Sequence, residues 1–197
     1  MTAARAIKQP RIRIDDFDGL LLHKPKDEKW ELVEGRILKS MVGARWGHHA
    51  IISNIDLAVS THLRARGLPC RTFRESFYLK DEDIDLSMLP DLMIRCGKLA
   101  PDATSLKDPT IIVEVVSPSS EEHDRLTKRL AYQRLASLEQ YVLVTRDRML
   151  VDVYNRTPAG WAGDVQLETP EAVLALPGID FTMPLAEIYR DALADGE

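Results

Sequence analysis

The chain has 197 residues and a formal net charge of −5, with 45% hydrophobic and 29% charged residues. No apolar stretch approaches the roughly 20 residues that span a bilayer, and the start of the chain lacks the apolar core of a secretory signal, so we expect a cytoplasmic protein without a membrane span. The negative charge argues against a protein that coats nucleic acid by bulk electrostatics, but it permits a metal-dependent nuclease, whose site needs carboxylates of its own.

This length and composition favour a single domain, which we place at residues 14–193 after a flexible N-terminal segment of residues 1–13. Cys70 and Cys96 are too few for a disulfide framework and lack the spacing of a metal-binding knuckle. We predict that both are reduced thiols in the core.

The N-terminal third predicts a helix, a hairpin and a longer helix. The stretch "IDDFDGLLLHK" is typical of a short helix, and "WELVEGRILKS" is typical of two strands around a turn at Glu34 and Gly35, where glycine supplies a positive φ. From Trp46 to Arg66, apolar residues recur at helical spacing, and Gly67 follows as a stop signal.

The middle of the chain predicts strands. The stretch "CRTFRESFYLK" alternates as one strand, "DEDIDLSM" is polar and predicts a loop, and "LPDLMIRC" predicts a strand entered through Pro90. The run "TIIVEVV" is rich in β-branched residues without alternation, which is typical of a strand covered on both faces.

A helix is predicted after this strand, in "SPSSEEHDRLTKRLAYQRLA". Ser119, with Glu122 three positions later, has the form of a capping box. Leu126, Leu130 and Leu135 are predicted to form the apolar side of the helix.

The C-terminal third predicts three strands and a closing helix. The stretches "QYVLVTRD" and "MLVDVYNR" are typical of two strands around a turn at residues 146–148, and "GIDFTMPLAEIYRDAL" is typical of a short strand before a helix. The complete order predicts an α/β fold with a central mixed β-sheet flanked by helices.

One acidic residue lies inside the most apolar strand. Because side chains alternate along a strand, Ile112, Glu114 and Val116 share one face. An unpaired buried carboxylate costs several kcal/mol, so a cation or hydrogen-bond donors must meet Glu114. The alternatives are an arginine or lysine partner, a position at the solvent end of the strand, or a metal ion.

Asp91 favours the metal ion. It follows Pro90 at the start of another apolar strand, so two carboxylates are predicted on neighbouring central strands. Two converging acids repel each other unless a divalent cation lies between them, and hard oxygen ligands suit Mg²⁺ or Mn²⁺. The pattern alone is weak, because acids at such positions are also common in turns and helix caps.

The predicted helix after the buried strand supplies a lysine. Asp124, Lys128 and Tyr132 recur at four-residue spacing and share one face, and the preceding turn brings this helix back over the end of the strand. Lys128 could therefore approach Glu114. The alternative is an exposed helix pair of Asp124 and Lys128, which is commoner for this spacing but leaves Glu114 unexplained.

These residues resemble a known family. The stretches "LPDLMIRC", "IIVEVVSPSS" and "DRLTKRLAYQRLASLEQYVLV" closely resemble the Uma-two (Uma2) family of proposed endonucleases, within the PD-(D/E)xK superfamily, and the resemblance runs from "WELVEGRIL" through "VDVYNR". It implies a restriction-endonuclease-like core and an endonuclease that hydrolyses DNA phosphodiester bonds with Mg²⁺ or Mn²⁺ as cofactor.

One position departs from the simplest superfamily pattern, in which the lysine follows the glutamate by two residues. That position is Val116, and the resemblance implies that Lys128 on the following helix replaces the missing lysine. Asp91 and Glu114 would then hold the metal ion, and Lys128 would orient the attacking water or stabilise the developing charge. Analogy with the superfamily also predicts a homodimer, with "QYVLV" and "VDVYN" as edge strands.

Four further residues have predicted roles around this centre. Glu34 is predicted as a third metal ligand, with a simple turn residue as the alternative. His48 corresponds to a histidine common in the resembling family and is predicted to contact the substrate phosphate. Asp124 is predicted to hold Lys128 in position, and Tyr132 is predicted to donate to phosphate, with packing as its alternative.

Two other functions stay open. A catalytically inactive relative would use the same groove to bind nucleic acid or a partner protein, and the acidic net charge is compatible with that alternative. A structural α/β domain whose acids are merely ion-paired would gain no stability from divalent cations.

Overall fold

The computed structural model describes residues 11–41, 43–117, 124–163 and 165–193. Helix α1 (Ile14–Leu21) precedes strands β1 (Glu28–Val33) and β2 (Arg36–Met41), which pair antiparallel. Both residues of the turn between the strands have positive φ, 50° at Glu34 and 76° at Gly35. The predicted helix and hairpin are confirmed.

Helix α2 (Trp46–Ala65) confirms the long predicted helix. Its buried side chains recur at helical spacing and include Ile51, Ile55, Val59 and Leu63. Gly67 follows with a φ of 63°, which favours glycine and ends the helix. In the described ranges, no helix, α2 included, has the length and apolar character needed to cross a membrane.

The remaining elements alternate between short strands and helical turns. The middle of the chain contributes β3 (Cys70–Arg74), β4 (Tyr78–Asp81), β5 (Leu86–Met88), β6 (Leu92–Cys96), β7 (Ser105–Leu106) and β8 (Ile111–Val116). A π-helical turn (Asp124–Lys128) then runs directly into helix α3 (Arg129–Tyr132). The last elements are β9 (Gln140–Thr145), β10 (Val151–Thr157), β11 (Gly160–Trp161), β12 (Val165–Leu167), β13 (Val173–Leu176), β14 (Phe181–Pro184) and α4 (Leu185–Ile188).

Two sheets contain most of the strands. The larger has the order β11-β10-β9-β8-β6-β3, with β12 also paired to β10. Its strands β8 and β9 are parallel, whereas β6 is antiparallel to β8, which confirms the predicted mixed sheet. The smaller sheet has the order β2-β1-β5-β4-β7 and was not predicted as a separate layer.

The central strand β8 separates two hydrophobic cores. Val113 and Val115 belong to the core that α2 covers, and Ile112 and Val116 belong to the core shared with α3 and the smaller sheet. All six residues of β8 are buried, as predicted for a strand covered on both faces. Since side chains alternate, Glu114 points toward α3 and the smaller sheet.

Three predictions about strands are wrong. The stretch "CRTFRESFYLK" forms β3 and β4 in different sheets, because a turn closed by Phe77 N–H and the Arg74 carbonyl at 2.8 Å separates them. The predicted loop "DEDIDLSM" contains β5, whose three residues are all buried. The strands β9 and β10, predicted as dimerisation edges, are interior strands with a neighbour on each side.

The prediction of two reduced thiols is also wrong, because a disulfide joins Cys70 and Cys96. The antiparallel pairing of β3 with β6 places these residues directly opposite each other. Their sequence separation of 26 residues contains no sign of this register.

The turn of the first hairpin leads to a stability prediction. Gly35 has a positive φ, and a Cβ there would lie 2.7 Å from the Cβ of Arg11. We expect Gly35→Ala to lower the free energy of unfolding by at least about 1–2 kcal/mol, the usual cost of a left-handed conformation. Gly19→Ala is the control, since a Cβ at Gly19 meets nothing within 4 Å in helix α1 and should be neutral or stabilising. Urea denaturation of both variants measures the difference, and equal stabilities would contradict it.

Candidate active site

A cleft of about 780 Å³ lies beside the C-terminal end of β8. The β1–β2 hairpin, the segment before α2 and the residues that precede β6 contribute to its walls. The cationic side chains that line it are Lys24, Lys29, Lys39, Arg45, Lys128 and Arg146. The anionic ones are Glu28, Glu31, Glu75, Asp91 and Glu114. The cleft therefore combines acids with a nearly equal number of bases.

Among the residues that the structure describes, Lys128 and Tyr132 are close partners of the Glu114 carboxylate. Lys128 Nζ donates to Glu114 Oε1 at 3.2 Å, and the hydroxyl of Tyr132 donates to the same oxygen at 2.6 Å. Glu114 is only 2% exposed, so these charge-assisted bonds offset the cost of burying its charge. The predicted approach of Lys128 to Glu114 is confirmed, and the alternative of an exposed lysine on the helix is excluded by its 7% exposure.

The helical segment that presents Lys128 buries the predicted Lys128 face but leaves two of its three predicted core leucines exposed. Lys128 and Tyr132 are buried, whereas Leu126 and Leu130 are 52% and 58% exposed. The prediction of an apolar side containing both leucines is therefore wrong, and of that set Leu135 alone is buried. The reason is that the buried carboxylate of Glu114 needs hydrogen-bond donors, and a leucine side chain has none. The predicted capping box lies outside the described residues.

Tyr132 is enclosed rather than open to a ligand. It is fully buried, and burial together with the neighbouring Glu114 charge raises its pKa well above the usual range. Its ring packs edge-on against Tyr141, with ring centroids 5.4 Å apart. The structure thus directs its hydroxyl to Glu114, whereas we predicted a bond to phosphate. The predicted role of Asp124 in holding Lys128 stays a prediction.

Asp91 lies next to Glu114 because β6 and β8 are antiparallel neighbours. Leu92 pairs with Val113, which brings the residue before β6 beside the end of β8. Asp91 Oδ2 accepts a bond from the Val115 N–H at 2.8 Å, and His48 Nε2 lies 3.1 Å from the same oxygen. The prediction of acids on neighbouring central strands is confirmed.

His48 and Asp91 shift each other's pKa. Burial opposes ionisation of Asp91, but the hydrogen bond and charge of His48, with the charges of Lys29 and Lys128, outweigh it and hold the pKa of Asp91 below its usual range. Burial also opposes the charge on His48, but the bond to Asp91 and the charges of Asp91 and Glu75 outweigh it and raise the pKa of His48. His48 thus pairs with Asp91, and its predicted contact with phosphate stays a prediction.

The third carboxylate of this cluster is Glu31, and Glu34 lies outside it. Glu34 has a side chain that is 53% exposed and pairs with Arg134 at 3.0 Å on a different surface. Glu31 is 5% exposed, accepts a bond from the Leu89 N–H at 2.8 Å and has Oε2 3.9 Å from Lys128 Nζ. The placement of Glu34 in the site is therefore corrected to Glu31.

Lys29 is a second ammonium group that the sequence did not indicate. Its Nζ donates to the Leu89 carbonyl at 2.7 Å and lies 3.9 Å from Glu31 Oε1. Lys29 and Glu31 together satisfy both backbone groups of Leu89, two residues before Asp91. Strand β1 thereby fixes the segment that carries Asp91. A pattern that could have indicated Lys29 is the two-residue repeat of a strand. It places Lys29, Glu31 and the buried Val33 on one face of β1.

The three acids have the donor chemistry of a magnesium or manganese site. Carboxylate oxygens are the ligands that these cations prefer, and Glu31, Asp91 and Glu114 line one cleft. Both bonds to Asp91 in the described part of the chain go to Oδ2. Across the described ranges, however, no three His, Cys, Asp or Glu side chains are already grouped as a metal site. In this arrangement Lys128 lies between Glu31 and Glu114.

The His48–Asp91 pair leads to a pH prediction for the metal-free protein. The pKa of His48 in the folded chain is raised above its ordinary value of 6.5. The pair therefore stabilises the fold fully below pH 6.5, and this contribution is lost as the pH rises through the raised folded-state pKa. Urea denaturation in EDTA should show a steeper loss of stability over this window in wild type than in His48→Gln. The exposed neighbour provides a control, because His49→Gln should keep the wild-type slope.

Comparisons with known proteins agree with this geometry. A family model described as "Uma2: Putative restriction endonuclease" matches residues 14–186. The "Uncharacterized protein slr1290" of Synechocystis sp. is 27% identical over 158 residues, which cover 80% of this chain and 82% of that protein. The crystal structure of "a putative nuclease belonging to DUF820 from Anabaena variabilis" has a TM-score of 0.71 at 19% identity and covers 90% of this chain and 97% of its own.

Proposed function

The chain belongs to the Uma2 family, described as "Putative restriction endonuclease", and we propose that it is a metal-dependent endonuclease that hydrolyses phosphodiester bonds in DNA. The observation that supports this best is the buried contact of Lys128 with Glu114, beside Asp91, in one open cleft. Phosphodiester hydrolysis builds up negative charge on the phosphate. A lysine beside carboxylates that can hold a divalent cation is placed to stabilise this charge.

Three carboxylates would hold the cation in this proposal: Asp91, Glu114 and, in the place first predicted for Glu34, Glu31. Mg²⁺ or Mn²⁺ bound there would polarise the phosphodiester and lower the pKa of a bound water. Tyr132 would hold one oxygen of Glu114, and His48 and the Val115 N–H would hold one oxygen of Asp91, so both carboxylates would be fixed in orientation at the cleft.

Lys128 would have the central catalytic role. Its ammonium reaches the cleft from the helical segment that follows β8, and it would replace a lysine at the position of Val116, which is a buried core residue. From this position it would orient the attacking water and donate to the phosphate oxygen that gains negative charge. Lys29, on the opposite side of Glu31, would add a second positive charge for the phosphate.

Cleavage of supercoiled plasmid tests the proposal. Wild type is expected to nick the plasmid with Mg²⁺ or Mn²⁺ and to leave it intact with EDTA. Glu114→Gln should lose this activity, because an amide binds divalent cations weakly, while the exposed Glu168→Gln should keep it. Equal nicking by wild type and Glu114→Gln would point to a contaminating nuclease and remove the proposal. The homodimer stays a prediction, and light scattering of the pure protein tests it.

A second function is favoured by one observation. The acids of the cleft already contact ammonium groups, as in a catalytically inactive domain that binds nucleic acid through the same groove. Such a protein would bind DNA in a filter or anisotropy assay, with or without divalent cation, and would leave the plasmid supercoiled. Nicking that depends on Glu114 excludes this alternative.

A further inference from the structure

Trp46 differs from the other two tryptophans in what covers its ring. The ring of Trp30 lies under Lys39 Nζ at 3.8 Å, and the ring of Trp161 lies under the guanidinium of Arg156 at 4.8 Å. Trp46 is 67% exposed. In the described part of the chain, the ring of His49 lies beside it at a tilt, with the two ring centroids 6.1 Å apart. The indole of Trp46 therefore has aromatic surface available to a ligand, and such rings can make both apolar and polar contacts.

The exposed indole is held in place from two directions. Its Nε1–H donates to the carbonyl of Asp191 at 2.9 Å. The next residue, Gly47, packs so closely that a Cβ there would lie 2.7 Å from the Ala192 carbonyl and 3.6 Å from the Cγ of Arg146. The first turn of α2 is therefore fixed against the C-terminal segment, and Trp46 presents a rigid surface. Rigid aromatic rings bind flat ligands at a low cost in conformational entropy.

Cations of the active-site cleft flank this surface. Arg45 directly precedes Trp46 and lines the cleft. Arg146 also lines the cleft, and its Cγ lies against the first turn of α2, while its guanidinium pairs with Asp147 at 2.6 and 2.8 Å. His48, two residues on, contacts Asp91. An aromatic ring beside guanidinium groups is the combination that binds a nucleic-acid strand, with a base on the ring and phosphates on the cations.

We propose that Trp46 stacks on an unpaired base next to the scissile phosphate, so that the substrate is single-stranded or locally unpaired at the point of cleavage. This inference rests on the proposed nuclease function and specifies its substrate class. The reason is geometric, because a base inside a duplex has both faces covered by its neighbours and cannot offer one to Trp46. The phosphates on either side of that base would lie on Arg45 and Arg146.

Fluorescence anisotropy of a labelled short single-stranded DNA and of the blunt duplex of the same sequence tests the proposal, in EDTA so that the DNA stays intact. Wild type is expected to bind the single strand more tightly than the duplex. Trp46→Ala should weaken single-strand binding by roughly 5- to 100-fold, the usual value of one stacked base, and should change duplex binding much less. Trp46→Phe should recover most of the affinity, because phenylalanine also stacks.

Leu57→Ala is the matched control, since it removes another exposed apolar side chain of α2, 71% exposed, and should bind like wild type. Single-strand binding by Trp46→Ala equal to that of wild type overturns the stacking proposal, even if plasmid nicking succeeds. Failure of wild type to bind either DNA overturns it too, and if plasmid also stays intact with Mn²⁺, the proposed nuclease function fails with it.

Discussion

Replacing Lys128 with methionine is expected to lower the rate of DNA cleavage by about 100- to 1,000-fold, as for other buried donors that stabilise developing charge. Methionine keeps the apolar stem and removes the ammonium that lies 3.2 Å from Glu114 and 3.9 Å from Glu31. Beside Glu31, Asp91 and Glu114, the phosphate would then gain negative charge without its nearest described donor. The initial rate of plasmid nicking with Mn²⁺ measures the effect.

Lys107→Met is the control for this experiment. Lys107 is exposed, lies outside the cleft and should keep the wild-type rate when replaced. A Lys128→Met variant that nicks plasmid as fast as wild type would show that the lysine is a structural partner of Glu114 and has no part in catalysis.

The same substitution should also lower stability, so the two effects must be separated. Removing one partner of a buried ion pair typically costs about 3–5 kcal/mol. Because Glu114→Gln removes the opposite charge, the double variant with Lys128→Met should be less destabilised than the sum of the two single variants. Circular dichroism at the assay temperature shows whether Lys128→Met is folded, and the double-mutant cycle gives the coupling.

The sequence predicted the centre of the site because its residues follow local periodic rules. The two-residue repeat of a strand placed Glu114 on one face of β8, and the four-residue repeat of a helix placed Lys128 and Tyr132 together. The cost of a buried carboxylate then required a partner for Glu114. Each of these steps depends on a few neighbouring residues, and the structure bears each of them out.

The hairpin sequence predicted Glu34, at the turn, as the third metal ligand, because nothing local to the hairpin distinguishes it from Glu31 in the flanking strand. The acid at the turn has a φ of 50° and projects away from the sheet, where Arg134 meets it. Glu31 is inside β1, and its burial depends on the pairing of β1 with β5, at Leu32 and Ser87. Since β5 was predicted as a loop, the layer that buries Glu31 could not be foreseen.

Long-range pairing explains the other errors. The disulfide depends on the register of β3 against β6, and the interior position of β9 depends on β10 and β8 together. The outward positions of Leu126, before α3, and Leu130, within it, depend on Glu114, which the helical pattern does not include. Hydrophobic periodicity describes an element alone, whereas these features belong to pairs of elements far apart in sequence.

Replacing Asp91 with asparagine is expected to remove both DNA cleavage and the stabilisation of the protein by Mn²⁺. If Asp91, Glu114 and Glu31 hold the cation, Mn²⁺ at about ten times its dissociation constant should add roughly 1.4 kcal/mol to the free energy of unfolding. For a chain of this size, that gain raises the midpoint of thermal unfolding by about 3–6 °C. Thermal unfolding with EDTA, Mg²⁺ and Mn²⁺ measures the shift in wild type and in Asp91→Asn.

The Asp91→Asn variant is expected to change cation binding more than it changes the fold. Its amide oxygen can still accept the bond from the Val115 N–H, so the backbone contact that Asp91 makes at 2.8 Å can persist. What disappears is the charge that His48 and a divalent cation would share. Asp102→Asn, at an exposed acid outside the cleft, should keep the wild-type shift. If wild type itself shows no shift with Mn²⁺, protein groups such as Lys29, Lys128 and His48 balance the acids without a cation, and the metal-dependent mechanism is wrong.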